Sequence, residues 1–335
     1  MRLATIMIDY GTAIRDAFDY LLENYDECFV MGQGLWSPWY VGNTMTGLEK
    51  KYGHSRVIDT PVSESAVTGL GVGASIAGLK PIIVHPRMDF MLYAMDAIVN
   101  EASKWRSMTG GEGSAGLTIR SIINRGGEQG AQHSQALHSW FMHIPGIRVV
   151  MPYTVQDARD LLIASVLSPD PVLYIDDRWL YDKTDEVENI RELSLDKIKP
   201  KLVKKGENFT IVAAGFSVQL AIEVYEALKN WGYTADVFDL RILNPLDQTT
   251  IIESVEKTGR LFVIDGGWAP AGLSAEVIAA VSESLSPDKL RSSPVRFTLP
   301  FAPAPSAKNL ETSYYPKSDR IAAQILKILQ PDGKN

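Results

Sequence analysis

ESAVTGLGVGASIAGLKPIIVHP, residues 64–86, joins two different patterns. Its first part, residues 64–78, is apolar and rich in glycine, which predicts a helix packed closely on its neighbours. Its second part, residues 80–86, is a short β-branched run that predicts a buried strand. A carboxylate at the start of such a helix is costly to bury without a partner, so Glu64 is a candidate functional residue. Ser63 is the predicted N-cap, and an acid in a first turn also suits the helix dipole, so a structural role for Glu64 stays open.

The alternation of helix and strand continues on both sides of this stretch. Apolar residues at helical spacing predict a helix over 12–24, and a strand is predicted over 28–32. The other elements of the first half are helices at 91–104, 134–142 and 154–167 and strands at 117–123, 147–151 and 171–176. Strands that alternate with helices of this length indicate an α/β fold with a doubly wound, mostly parallel sheet.

A charged stretch separates this first half from a second α/β pattern. Residues 183–205 are rich in Asp, Glu and Lys and predict a linker between a domain of residues 1–182 and a smaller α/β domain of residues 206–335. In the second domain, strands are predicted at 209–214, 234–239, 260–265 and 295–298, and helices at 217–228, 249–257, 273–283 and 319–329.

The composition excludes several classes of protein. The chain has 335 residues, 45% of them hydrophobic, and a net charge of -7, which argues against a nucleic-acid binder. A single cysteine excludes an internal disulfide, and no Cys or His pair has zinc-ligand spacing, so no metal ligand is expected. The N-terminal residues lack a signal-peptide pattern, and glycines, a lysine and a proline interrupt the most apolar stretch. The expectation is a cytoplasmic protein that does not span a membrane.

Two further residues are candidates for a catalytic or ligand-binding site. His133 follows the glycine-rich loop of residues 126–130, a position that suits proton transfer but also suits a structural histidine. Phe90 follows the strand at 80–86, where an open α/β sheet binds ligands, and its ring could stack on a planar heterocycle or belong to the core. No glycine motif has the spacing of a dinucleotide-binding loop or a P-loop.

These stretches, in this order, resemble the β subunit of the thiamine-diphosphate-dependent decarboxylase component of 2-oxoacid dehydrogenase complexes. The likeness covers nearly the whole chain and is carried by five motifs: DTPVSE at 59–64, VNEASK at 99–104, QHSQ at 132–135, DLRILNPLD at 239–247 and AKNLE at 307–311. The resemblance implies a pyrimidine-binding α/β domain followed by a transketolase C-terminal-like domain. It also implies an oxidoreductase that decarboxylates a 2-oxoacid of the pyruvate or branched-chain type.

The resemblance assigns roles to five residues of the first domain. Glu64 would bind the ring nitrogen of the aminopyrimidine of thiamine diphosphate and so activate the cofactor. Phe90 would pack on the pyrimidine, with Val62 and Pro86 beside it. His133 would act during transfer of the acyl group to a lipoyl-bearing acyltransferase, either by moving a proton or by orienting the acceptor.

Departures from the family pattern limit what the resemblance carries over. Gln33 stands where the family usually has an acidic residue. His85 and Arg87 make their segment more basic than usual and are candidates for binding the substrate, although an ion pair is an alternative role for Arg87. The Gly-Asp-Gly motif that holds diphosphate through Mg²⁺ is missing. A separate α subunit should supply it, in an α₂β₂ tetramer with the cofactor at each α/β interface.

Two other functions fit the same residues. The chain could be the C-terminal subunit of a split transketolase-like enzyme, which transfers a ketol group between sugars. It could also be a non-catalytic partner subunit that keeps the fold, a reading that Gln33 favours and that Glu64 and His133 disfavour.

Overall fold

The computed structural model describes residues 5–330, which divide into two compact units. The first unit comprises the chain up to Arg125 together with Gln132–Ile198, and the second comprises Gly126–Ala131 and the chain from Lys199 onward. Residues 1–4 and 331–335 lie outside the described residues. The N-terminal stretch that lacks a signal-peptide pattern begins in the first of these two segments. Within residues 5–330, every helix is too short or too polar to cross a membrane.

The first unit is built on a parallel sheet. Its strands are β1 (Ile6–Asp9), β2 (Cys28–Gln33), β3 (Val57–Thr60), β4 (Lys80–His85), β5 (Thr118–Ile123), β6 (Arg148–Met151), β7 (Val172–Asp177) and β8 (Thr184–Val187). Six of them pair in parallel in the order β6-β7-β5-β4-β2-β3, while β1 and β8 form a separate antiparallel pair. The side chains of β5 and β7 are buried along their whole length, as expected for central strands covered by helices.

The helices of the first unit cover this sheet. They are α1 (Tyr10–Asn24), α2 (Pro38–Val41), α3 (Leu48–Tyr52), α4 (Glu64–Ile76), α5 (Met88–Met91), α6 (Ser103–Met108), α7 (His138–Met142) and α8 (Val155–Leu167). Helix α4 lies close to β4 at Gly71, where an added Cβ would be 2.6 Å from Cδ1 of Ile83. Gly69 and Gly73 have no such neighbour within 4 Å, so the close packing predicted for this helix occurs at Gly71 and not at those two glycines.

Two helix predictions differ from the structure. The helix predicted over 91–104 is interrupted by a 3₁₀ turn at Leu92–Ala94 and by a π-helical segment at Ala97–Ala102. The helix predicted over 134–142 begins only at His138. Residues 134–137 are not helical, and the backbone N–H groups of Gln135 and Leu137 donate to side chains of a distant segment.

The second unit has its own five-stranded sheet. Its strands are β9 (Lys201–Lys204), β10 (Phe209–Ala213), β11 (Ala235–Asp239), β12 (Arg241–Asn244), β13 (Leu261–Trp268) and β14 (Val295–Leu299). Five of these six strands, all but β12, form the sheet in the order β14-β13-β10-β11-β9, and β9 is antiparallel to its neighbour. The helices are α9 (Phe216–Lys229), α10 (Thr249–Thr258), α11 (Leu273–Ser284), α12 (Lys308–Tyr314) and α13 (Ser318–Leu329). The stretch predicted as a linker, 183–205, therefore contains two strands, β8 in the first unit and β9 in the second.

Candidate active site

A cavity of about 430 Å³ opens at the carboxyl edge of the parallel sheet. Its walls are formed by nine residues, all in the first unit: Gln33, Trp39, Tyr40, Glu64, His85, Pro86, Arg87, Phe90 and His133. Gln33 is the last residue of β2, His85 is the last residue of β4, and Glu64 is the first residue of α4. Parallel strands end at one edge of a sheet, and ligands bind there in open α/β folds. The topology thus brings together residues that are far apart in sequence.

Glu64 supplies the only carboxylate among the nine residues of the cavity wall. Its side chain is half-buried, and its place in the first turn of α4 lets the helix dipole favour its negative charge. Ser63 occupies the predicted N-cap position, with a ψ of 61°, but its side chain makes no capping hydrogen bond. The carboxylate therefore lines the cavity at the N-terminus of helix α4, which has no side-chain cap.

His85 forms the floor beside Glu64 and is 2% exposed. Its Nε2 lies 3.1 Å from Oγ1 of Thr68, which is one helical turn beyond Glu64 on α4. Burial lowers the pKa of His85 to about 4, because the charged imidazolium would lose its hydration. His85 is therefore neutral at physiological pH and can offer the cavity a hydrogen bond but no charge.

Arg87 supplies positive charge to the cavity wall. Its side chain is half-buried, and one guanidinium nitrogen donates to the carbonyl of Pro86 at 2.9 Å. Burial, and then the positive charge of Arg178, lower the pKa of Arg87. A guanidinium stays protonated at neutral pH even so, and its planar fork suits a carboxylate.

Phe90 and His133 come from segments more than forty residues apart and meet in the cavity wall. Their ring centroids lie 5.2 Å apart, and their planes are nearly perpendicular at 89°. An edge-to-face pair of this kind is a favoured arrangement of aromatic rings. The sequence indicated each residue separately, and no local pattern predicted their contact.

Some predicted site residues lie elsewhere, and some wall residues were not predicted. Val62 is 67% exposed and is not among the residues that line the cavity. Trp39, which is 84% exposed, and Tyr40 do line it, although nothing in their sequence beyond an aromatic cluster indicated this. Their neighbour Trp36 instead stacks on His54 with ring centroids 4.1 Å apart.

Asp89 was also missed by the sequence analysis. Its side chain is 7% exposed and holds Gln135 of the His133 loop. Burial raises the pKa of this carboxyl group, partly offset by its hydrogen bonds from Gln135. An acidic residue directly before Phe90, within an otherwise apolar segment, is the signal that would have found it.

Comparison with known families matches both halves of the chain. The family described as "Transketolase, pyrimidine binding domain" matches residues 6–183, and "Transketolase, C-terminal domain" matches residues 199–321. Among solved structures, "Split gene transketolase, inactive beta4 tetramer" superposes with a TM-score of 0.74 at 20% identity, covering 96% of this chain and 98% of that one. These findings confirm the predicted α/β fold class and its two transketolase-like domains.

Curated relatives match nearly the whole length of the chain. "Pyruvate dehydrogenase E1 component subunit beta" of Rhizobium meliloti is 34% identical, over 94% of this chain and 68% of its own length. The protein of the same name from Rickettsia bellii is 35% identical, over 96% of this chain and 99% of its own length. The resemblance found in the five motifs is thereby confirmed.

Proposed function

The chain belongs to the family of pyruvate dehydrogenase E1 component β subunits, and we propose that it is the β subunit of a thiamine-diphosphate-dependent 2-oxoacid dehydrogenase. The observation that carries the proposal is the meeting of Glu64, Phe90 and His133 in one cavity at the carboxyl edge of the sheet. These are the three residues to which the resemblance assigns cofactor activation, pyrimidine packing and acyl transfer.

The residues of the cavity fit one half of thiamine diphosphate. An aminopyrimidine is flat, and its ring edge carries nitrogen atoms that hydrogen-bond a carboxyl group. Phe90 and Pro86 offer apolar surface for the flat face, and Glu64 offers an acceptor or donor for the edge. When bound, the cofactor supplies the electron sink for decarboxylation. Glu64 would hold a proton at the pyrimidine ring nitrogen, and the enclosing wall would keep water from the reacting centre.

Arg87 and His85 are proposed to bind the substrate. Arg87 would pair with the carboxylate of the 2-oxoacid, because a charged guanidinium in a partly dry wall attracts a carboxylate more strongly than it would in water. His85 would add a neutral hydrogen bond, since its burial keeps it uncharged. His133 is proposed to act in transfer of the acyl group to a lipoyl-bearing acyltransferase.

The other half of the cofactor is proposed to be held by a different chain. No Gly-Asp-Gly occurs in the 335 residues, so this chain lacks the motif that binds diphosphate through Mg²⁺. An α subunit in an α₂β₂ heterotetramer would provide the motif and the metal ion. We propose the cytoplasm as the compartment of this assembly.

The alternative of a ketol-transferring subunit has less support. The relatives at 34% and 35% identity carry the name of a pyruvate dehydrogenase subunit, whereas the split-gene transketolase is 20% identical and supports the fold alone. A non-catalytic role is also less supported, because the cavity brings Glu64 and His133 together.

The deciding experiment assembles this chain with an α subunit that carries Gly-Asp-Gly, thiamine diphosphate and Mg²⁺. Carbon dioxide release is then measured over a panel of 2-oxoacids that includes pyruvate and branched-chain members. We expect release from at least one of them, with an absolute requirement for both chains. Ketol transfer between sugars, with no release from any 2-oxoacid, would favour the alternative.

A further inference from the structure

Three consecutive residues of one segment contact the loop that carries His133. Met88 Sδ accepts a hydrogen bond from the backbone N–H of Leu137 at 3.3 Å. Asp89 Oδ1 accepts two from Gln135, from the backbone N–H at 3.2 Å and from Nε2 at 2.9 Å. Phe90 meets the ring of His133. Residues 131–137 are not helical. Contacts of this kind, rather than the backbone hydrogen bonds of a helix, therefore hold the loop in position.

The carboxyl group of Asp89 is the most costly member of this set. Its Oδ2 is buried and has no hydrogen-bond partner among the described residues. A buried acceptor without a partner lowers stability, because it has lost its hydrogen bonds to water. A local cost of this kind is typical of a functional site.

We propose that Asp89 is a positioning residue for His133: by holding Gln135, it keeps the imidazole against Phe90 in the cavity wall. The reaction step that this serves rests on the proposed function, in which His133 takes part in acyl transfer. Asp89 lies outside the residues that line the cavity and acts through the loop.

Two substitutions separate this role from simple loss of packing. Asp89→Ala leaves both donors of Gln135 without their acceptor, so the loop loses its anchor two residues from His133. Asp89→Asn keeps the size of the side chain and an oxygen at the Oδ1 position. A misplacement of about 1 Å at a reacting group can cost about 100-fold in rate. We therefore expect Asp89→Ala to lower the rate of acyl transfer and Asp89→Asn to restore most of it.

The kinetic test uses the assembled enzyme with its α subunit and a lipoylated acceptor domain. We expect Asp89→Ala to lower kcat for acyl transfer by about 10- to 100-fold while KM for the 2-oxoacid changes by less than about 3-fold. Gln135→Ala removes the 2.9 Å bond from the other side and should lower kcat less, because its backbone N–H still donates. Asp96→Ala is the matched control, since Asp96 is an exposed acid whose carboxylate accepts from Asn100.

A second readout does not depend on catalysis. In histidine-labelled chain, the ring resonances of His133 report its place beside Phe90 through the ring-current shift. Asp89→Ala should move these resonances and speed exchange of the Gln135 amide, whereas Asp89→Asn and Asp96→Ala should do neither. If wild-type enzyme transfers no acyl group, the proposed function fails while the resonances still test the anchoring. Unchanged resonances, or unchanged kcat in an active enzyme that carries Asp89→Ala, would overturn the positioning role.

Discussion

Thr68 Oγ1 lies 3.1 Å from Nε2 of His85 and so joins helix α4 to the end of strand β4. Glu64 is the first residue of α4 and Pro86 directly follows β4, so this contact connects two parts of the cavity wall. It also restrains the imidazole, because one ring nitrogen is hydrogen-bonded to a hydroxyl group of a regular helix. His85 is therefore a rigid, neutral element of the site.

The low pKa of His85 predicts a stability that falls in acid. The folded pKa of about 4 lies below the ordinary value of 6.5, so between these two values the unfolded chain binds a proton that the folded chain does not. Stability from this group is complete above about pH 7 and is lost as the pH falls toward 4. At pH 5 the loss is about 2 kcal/mol. Urea unfolding at pH 7.5 and pH 5 measures it.

His85→Gln provides the comparison for this measurement. Glutamine keeps a polar group near Thr68 but does not titrate, so the variant should lose about 2 kcal/mol less than the wild type between pH 7.5 and pH 5. Contributions from all other titrating groups cancel in the difference. Parallel pH dependences in the two proteins would show that His85 titrates normally.

Glu64→Gln should abolish cofactor activation in the assembled enzyme. An amide cannot exchange a proton with the pyrimidine ring nitrogen as a carboxyl group does, so we expect deuterium exchange at the thiazolium C2 to slow by about 10²- to 10⁴-fold. Size-exclusion chromatography should show that the variant still assembles.

Glu276→Gln is the matched control for that substitution. Glu276 is an exposed glutamate in the first turn of α11, so the variant loses the same favourable interaction with a helix dipole at a place outside the cavity. It should leave C2 exchange unchanged. Equal C2 exchange in the two variants would assign Glu64 the structural role that a first-turn acid can have.

The sequence predicted those parts of the site that depend on local patterns. A β-branched run ends at His85, and a glycine-rich helix begins at Glu64, so both elements could be located without knowledge of the fold. The carboxyl-edge rule then indicated that residues such as Phe90 lie together. The outline of the sheet followed from the same alternation of strands and helices.

Two predictions about the neighbourhood of the site differ from the structure. Residues 134–137 have apolar spacing typical of a helix, but in the structure they are not helical, and Gln135 is bound by Asp89, 46 residues before it. Ser63 matches the composition of an N-cap, yet its backbone conformation leaves its side chain without a capping bond. A local pattern of residue types records neither the distant partner of Gln135 nor the backbone conformation of Ser63.

Cys28 should resist alkylation in the folded protein. Burial raises the pKa of its thiol to about 12, so at pH 8 almost none of it is the reactive thiolate. We expect no iodoacetamide adduct by mass spectrometry under native conditions and one adduct in concentrated urea. Rapid modification of the folded chain would show that strand β2 opens readily.

Substitutions of two glycines in α4 should act in opposite directions. Gly69→Ala places a methyl group in open space and gains helix propensity, so it should stabilise the chain by about 0.5–1 kcal/mol. Gly71→Ala places it 2.6 Å from Ile83 Cδ1, so despite the same gain it should destabilise the chain by about 1–3 kcal/mol. Urea unfolding at pH 7.5 measures both. A stabilised Gly71→Ala variant would mean that Ile83 can move away without loss of packing.

Arg87→Gln should weaken substrate binding without affecting cofactor activation. A charge-assisted hydrogen bond to a carboxylate contributes about 1.5–3 kcal/mol, so we expect KM for the 2-oxoacid to rise about 10- to 100-fold. Arg87→Lys keeps the charge but loses the planar fork, so it should restore part of the affinity. Deuterium exchange at C2 should stay at the wild-type rate in both variants, because Glu64 is intact.

Arg106→Gln is the control for Arg87→Gln, since this partly exposed arginine pairs with Asp170 outside the cavity. An unchanged KM in Arg87→Gln would assign the guanidinium to the cavity wall alone and would require a different residue, here or in the α subunit, to bind the carboxylate.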